Sequence, residues 1–325
     1  MRDGLAACAR MGTGGDGLRP ASGARAGHGP ILAHRGRIAF AALRFVTYDS
    51  GDGPRPALLE GDGVRPLPAE ASPLEHGRGL GAVLRSGALE QAAGAAGDPI
   101  PLADVELMAP VLDPSKIIGI GLNYLSHAQE SGLEPPETPT FFAKFPNALA
   151  APGAEVALPA YSSKVDYEVE VAFVIGSRCR CVAEADALDQ IAGYMLLNDL
   201  SARDYQFKTP QWMPGKVFDG AAPCGPALVT PDEAGPHDAI EIELTLNGEQ
   251  RQSASTDDLV HSVPALVAYL SELMTLEAGD IVSTGTPAGV GSGRDPKTWL
   301  APGDEIVISS PTLGRLETRI AAPDA

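Results

Sequence analysis

The chain has 325 residues, 44% of them hydrophobic and 20% charged, enough apolar content to bury one large core or a large and a small one. Its 24 basic and 42 acidic residues give a net charge of −18, which argues against nucleic acid or an anionic membrane surface as a general partner. A small anionic ligand stays compatible, because a few local cations suffice to capture it.

No apolar run approaches the ~20 residues needed to span a bilayer. The N-terminus lacks an uninterrupted apolar stretch with a small-residue cleavage site. A cytoplasmic protein is therefore expected. The cysteines, Cys8, Cys179, Cys181 and Cys224, are too few for a disulfide framework, and Cys179 and Cys181 are spaced too closely for a usual zinc pair. Reduced, structural thiols are expected.

Residues 1–36 are rich in Gly, Ala and Arg without periodicity, and are read as a disordered extension. Residues 37–108 form a small N-terminal β-rich domain, with strand stretches at 38–40 and 43–48, Gly-Asp-Gly turn signals at 51–53 and 61–63, and a short helix over 80–89. The third unit, 109–325, carries the chemistry. A short buried strand is expected over 116–121. Its Gly119-x-Gly121 is half of a dinucleotide fingerprint, but Tyr124 stands where the third glycine is needed, so no Rossmann site is expected. His127 and Glu130, three residues apart, meet on one side of a helical turn, a spacing that lets a carboxylate orient an imidazole as general base.

A strand over 140–145 follows, then an alternating one over 165–176. Val165, Tyr167, Val169, Val171, Phe173 and Ile175 share one face; Asp166, Glu168 and Glu170 share the other. Adjacent carboxylates at ~4 Å repel by ~1 kcal/mol in water and ~4 at an effective dielectric of about 20. Either a hard divalent cation such as Mg²⁺ sits there, or this is a solvated acidic face. Residues 183–191 read as a helix and 194–198 as a buried strand that delivers Asp199. If 199–206 turns helically, Asp199, Arg203 and Gln206 share one face; an Asp–Arg helix cap is the plainer use of the same residues. Lys216, taken alone, reads as a solvated loop lysine. Residues 240–253 form a hairpin about Asn247-Gly248. Ser262 caps a helix whose buried stripe is Val263, Leu266, Val267 and Leu270, and His261 is read as structural. A strand from 279 enters a glycine-rich loop over 284–291, and 305–320 completes the sheet.

Five motifs stand in order: Asn123-Tyr124-x-x-His127-x-x-Glu130, Asp166-Tyr167-Glu168-x-Glu170, Asn198-Asp199-x-Ser201-Ala202-Arg203-Asp204-x-Gln206, Gly215-Lys216 and Thr284-Gly285-Thr286-Pro287. Together, from about 116 to 320, the chain resembles the fumarylacetoacetate hydrolase superfamily. The resemblance implies an α+β, predominantly β fold, a mixed β-sandwich roll with a small N-terminal domain, and a homodimer. It implies Glu168, Glu170 and Asp199 as ligands of Mg²⁺ (Mn²⁺ or Ca²⁺ in some members). His127 and Glu130 correspond to the pair that activates water, on a segment that can close as a lid. Arg203, Gln206, Lys216 and Thr286 correspond to residues that bind the pyruvate-like end of a small anionic 2-oxo acid, with Lys216 also stabilising or protonating an enolate. Asp166 matches no ligand position and is left a supporting role. Leu122 departs from the pattern, since an arginine is frequent there.

The activity so implied is hydrolysis of a carbon–carbon bond in an acylpyruvate. Isomerisation of hydroxymuconate-type dienes, decarboxylation of oxaloacetate-like acids, lyase or hydrolase action on ureidoglycolate or diketo sugar acids, and metal-dependent binding without turnover are the alternatives. The presence of both His127 and Glu130 favours hydrolysis. Leu122, Leu125, Phe142, Trp212 and Met213 are candidates for an apolar wall around the acyl group.

Overall fold

The computed structural model describes residues 43–72 and 78–323. The extension assigned to 1–36 and the strand stretch at 38–40 lie outside the described residues. Strands dominate an α+β fold. The larger sheet runs, edge to edge, through Ile100–Pro101, Gly63–Pro66, Pro54–Glu60, Arg44–Asp49, Ala222–Val229, Ile191–Asn198, Val169–Ile175, Ile281–Ser283, Ile117–Gly121 and Thr140–Lys144. Along this path only Ile281–Ser283 and Ile117–Gly121 pair in parallel. The N-terminal strands continue the same sheet, with Arg44 opposite Val229 and Phe45 opposite Leu228. One apolar cluster extends from Phe45 and Leu58 through Phe173 and Leu196 to Ile308 and Leu316.

A second sheet of five strands, in the order Glu249–Ser255, Glu241–Leu246, Glu305–Ser310, Gly314–Ala321 and Glu155–Ala157, packs against the central strands of the first. Its strands show period-2 burial, as in Glu305–Ser310, where Ile306 and Ile308 point inward. The hairpin turn has Asn247 and Gly248 both at positive φ, the conformation a tight two-residue turn requires. Ser262 Oγ accepts from Ala265 N–H and caps the Val263–Leu273 helix, which buries Val263, Leu266, Val267 and Leu270.

Four local expectations are corrected. The acidic strand is not one half-buried ribbon: Val165–Asp166 pairs with Ser201–Ala202, and Val169–Ile175 is a separate strand buried on both faces. It lies inside the large sheet with the second sheet packed over it, so Glu170 is an interior group, and Asp166 and Glu168 just before it are buried as well. Residues 183–191 form two 3₁₀ turns, Glu184–Asp186 and Leu188–Gln190, because β-branched Ile191 already belongs to the next central strand. Residues 80–89 are split into Gly79–Ser86 and Leu89–Gly94 by a left-handed Gly87. Cys179 and Cys224 are free, buried thiols, whereas Cys181 is disulfide-bonded, against the expectation of reduced cysteines throughout.

Candidate active site

Register explains how the carboxylates meet. Val169 lies opposite Asn198 at the ends of adjacent antiparallel strands, and Asp199 N–H donates to Glu168 O at 2.9 Å. Glu168, Glu170 and Asp199 therefore converge, each offering an oxygen within 4.8 Å of the others, and all three are buried.

Buried charges need partners. Lys216 Nζ lies 2.6 Å from Glu168 Oε2 and 2.8 Å from Asp199 Oδ2, Lys144 Nζ 2.6 Å from Asp199 Oδ1, and Arg203 Nη1 2.7 Å from Glu168 Oε1. Burial alone would raise the Glu168 carboxyl, but Arg203 and Lys216 overcome it and hold it at about 2. Among the described residues no cation lies at ion-pair distance from Glu170, and Lys216 offsets its burial only in part. Ser283 Oγ and Gly285 N–H donate to its Oε2, but burial, then Asp199 and Glu168, push its pKa well above the usual carboxylate range. The cluster thus carries an uncompensated acidic group and an all-oxygen donor set, a combination that fits a hard divalent metal ion.

Asp166, the fourth carboxylate, is not part of the cluster. It accepts from Arg203 Nε at 2.8 Å, Gly291 N–H at 2.7 Å and Ser292 N–H at 3.0 Å, fixing the guanidinium and the glycine-rich loop together. The helix expected over 199–206 forms only at Arg203–Gln206, because Ser201–Ala202 pairs as a strand with Val165–Asp166. Arg203 and Gln206 still meet, Nη1 donating to Oε1 at 3.0 Å.

His127 and Glu130 lie on the Leu125–Glu130 helix. Asp258 anchors its first turn, accepting from Ser126 N–H at 3.1 Å and Ser126 Oγ at 2.6 Å. His127 Nδ1 is 3.1 Å from Glu130 Oε2, and Gly289 N–H donates to Glu130 Oε1 at 2.9 Å. Burial would raise Glu130, but the hydrogen bonds from His127 and Gly289 win and lower it, so it stays an acceptor. The imidazole proton is then held on Nδ1, leaving Nε2 as the basic atom.

One cavity of about 470 Å³ is bordered by His127, Glu130, Glu168, Glu170, Arg203, Gln206, Lys216 and Thr286. Asp199, expected as a metal ligand, does not border it; its Oδ2 lies 2.8 Å from Lys216 Nζ. Leu122, Phe142 and Trp212 line the apolar side; Leu125 and Met213 do not. Leu122 adopts φ 54°, a conformation uncommon outside glycine, at the turn into the His127 segment. The glycines beside it are explained by packing rather than by a nucleotide: a Cβ on Gly119 would stand 2.4 Å from the Phe142 ring and one on Gly121 2.0 Å from Trp212. The Phe142 ring in turn lies under Lys216 Nζ, 4.9 Å from its centroid.

Sequence reasoning missed Lys144 and Gln252. A lone lysine within the apolar run Phe141-Phe142-Ala143-Lys144-Phe145 is a signal that could have found the first. Nothing local marks the second.

Residues 116–321 match the model of the fumarylacetoacetate (FAA) hydrolase C-terminal family. The chain belongs to the fumarylacetoacetate hydrolase family. Within it, the mitochondrial oxaloacetate tautomerase Fahd2a of Rattus norvegicus is 41% identical over 223 residues, 68% of this chain and 71% of that protein. The fumarylacetoacetate hydrolase of the psychrophile Exiguobacterium antarcticum superposes with a TM-score of 0.76 at 31% identity, covering 86% of this chain and 100% of that one. Maleylpyruvate hydrolase of Sphingobium sp. SYK-6, solved with manganese(II) and pyruvate, gives a TM-score of 0.71 at 31% identity with the same coverage. The family is one of enzymes that include tautomerases, isomerases and hydrolases.

Proposed function

We propose that this family member is a divalent-metal-dependent enzyme that enolises a small 2-oxo acid, interconverting the keto and enol forms of an oxaloacetate-like substrate. The observation that carries the reading is that His127, Glu168 and Glu170 border the same cavity. The 41% identity to an oxaloacetate tautomerase supports the substrate class.

Glu168, Glu170 and Asp199 would hold Mg²⁺ or Mn²⁺, with Ca²⁺ a further candidate of the same hard class, and the ion would supply Lewis-acid chemistry at the 2-oxo group. Arg203, Gln206 and Thr286 bind and orient the substrate carboxylate. His127 Nε2 removes a proton from C3, and the resulting imidazolium, stabilised by Glu130, delivers a proton to the 2-oxygen to give the enol; the reverse transfers restore the keto form. Burial would lower the Lys216 pKa, but Asp199 and Glu168 outweigh it and raise it, so Lys216 stays an ammonium that stabilises developing oxyanion charge instead of donating its proton.

Hydrolysis of an acylpyruvate is the second reading. The cavity exceeds the needs of a four-carbon acid, and Leu122, Phe142 and Trp212 leave an apolar side for an acyl group. His127 would then activate water instead of deprotonating C3. A metal-replete screen separates the two: decay of the oxaloacetate enol absorbance identifies the tautomerase, and pyruvate release from acylpyruvates identifies the hydrolase. Either activity should vanish with EDTA and return with Mg²⁺ or Mn²⁺; turnover unaffected by chelation would overturn both.

A further inference from the structure

We infer that Gln252 is a positioning residue that commits the Thr286 hydroxyl to donate into the cavity. The inference rests on the proposed role of Thr286 in binding the 2-oxo acid.

Gln252 belongs to the Glu249–Ser255 strand, the edge of the five-stranded sheet, where polar residues ordinarily face water. The ladder slips here: Leu244 is opposite Gln252 but Thr245 is opposite Gln250, so Arg251 is an extra residue, a β-bulge. The bulge turns Gln252 inward, and it is 1% exposed between exposed Gln250 and Ser253. The glycine-rich loop rides directly on the bulge. A Cβ on Gly289 would stand 2.1 Å from Arg251 O, and Arg294 Nη2 donates to the same carbonyl at 2.8 Å. This close approach brings the Gln252 side chain of the second sheet up to the loop that carries Thr286.

The amide is fully used. Gln252 Oε1 accepts from Val169 N–H at 2.9 Å; Nε2 donates to Pro287 O at 2.9 Å and to Thr286 Oγ1 at 2.8 Å. The backbone donor on one side and the backbone acceptor on the other fix which end is which, so Nε2 faces Thr286. Thr286 Oγ1 therefore receives a hydrogen bond on a lone pair, and among the described residues it has no acceptor of its own. Its proton is left for an oxygen in the cavity that Thr286 borders. The Val169 bond ties the other end of the same amide to the backbone between Glu168 and Glu170, so Gln252 links the Thr286 hydroxyl to the carboxylate strand.

The test uses the Mg²⁺-loaded protein and oxalate as probe, read by titration calorimetry. Gln252→Met and Thr286→Val should each weaken oxalate binding about tenfold, the effect of one lost hydrogen bond to an anion. The double variant should bind no more weakly than Thr286→Val alone, because Gln252 acts through the hydroxyl. A purely structural glutamine would give additive losses, and that result, or unchanged binding by folded Gln252→Met, overturns the inference. Should Gln252→Met not fold, the wild-type crystal structure with Mg²⁺ and oxalate decides. Thr286 Oγ1 bonded to both Gln252 Nε2 and an oxalate oxygen supports the inference, and a hydroxyl turned from oxalate overturns it. Wild-type protein that binds no oxalate would instead sink the 2-oxo acid reading on which the inference stands.

Discussion

Lys144 Nζ lies 2.6 Å from Asp199 Oδ1, both groups fully interior, in a contact that joins an edge strand to the end of a central one across 55 residues of sequence. Burial, the largest influence, and the neighbouring Lys216 lower the Lys144 pKa despite the Asp199 charge. The pair holds Asp199 by the oxygen that Lys216 leaves free.

Removing one member of such a pair leaves a buried charge short of compensation, at a cost of about 3–5 kcal/mol. Lys144→Met should therefore lower the stability of the metal-free protein by that order in urea unfolding. Saturating Mg²⁺ should recover part of the loss, since the ion compensates the same carboxylate. Equal losses with and without Mg²⁺ would separate Lys144 from the metal site.

His127→Ala should lower kcat by ~100-fold or more, the usual worth of a general base. Oxalate affinity should stay near wild type, because its proposed contacts are made by other residues. Glu130→Gln should give a smaller loss in kcat, since the amide still accepts from Nδ1–H but no longer stabilises an imidazolium. Loss of oxalate binding in His127→Ala would assign the histidine to binding instead.

The pH dependence has two opposing parts in the metal-free protein. Glu168 titrates near 2 when folded, below the ~4.3 of an unfolded glutamate, so its stabilising contribution is present above about pH 4.3 and lost as pH falls towards 2. Glu170 is raised, first by burial and then by Asp199 and Glu168. Its contribution is present below about pH 4.3 and lost as pH rises through the elevated folded value. Mg²⁺ must displace that proton, so the Tm gain on adding Mg²⁺ should be larger at about pH 8 than at about pH 6. Glu170→Gln should abolish this pH dependence, and a metal-induced gain independent of pH in the wild type would contradict the assignment.

Asp166→Asn should raise KM more than it lowers kcat, by about tenfold, through release of Arg203 and the Gly291–Ser292 amides. Steady-state kinetics on the substrate found in the screen measures it. A pure kcat effect would indicate that Asp166 influences the reacting centre itself.

Much of the site was legible in the linear sequence because its parts are short-range. Glu168 and Glu170 two apart on extended chain, and His127 and Glu130 three apart on a helical turn, are fixed by local backbone geometry whatever the fold. The motif order then identified the family and with it the β-rich architecture. Tertiary structure alone decided which cation meets which carboxylate. Lys216 reads as a solvated loop lysine until sheet register sets it between Glu168 and Asp199, and Lys144 reads as a strand residue until Asp199 arrives beside it. Gln252 and Thr286 are 34 residues apart and are joined only because a bulge re-aims one strand and a glycine lets a loop approach it. Such contacts depend on register and on how closely two backbones approach, and neither is encoded in the spacing of residues along one segment.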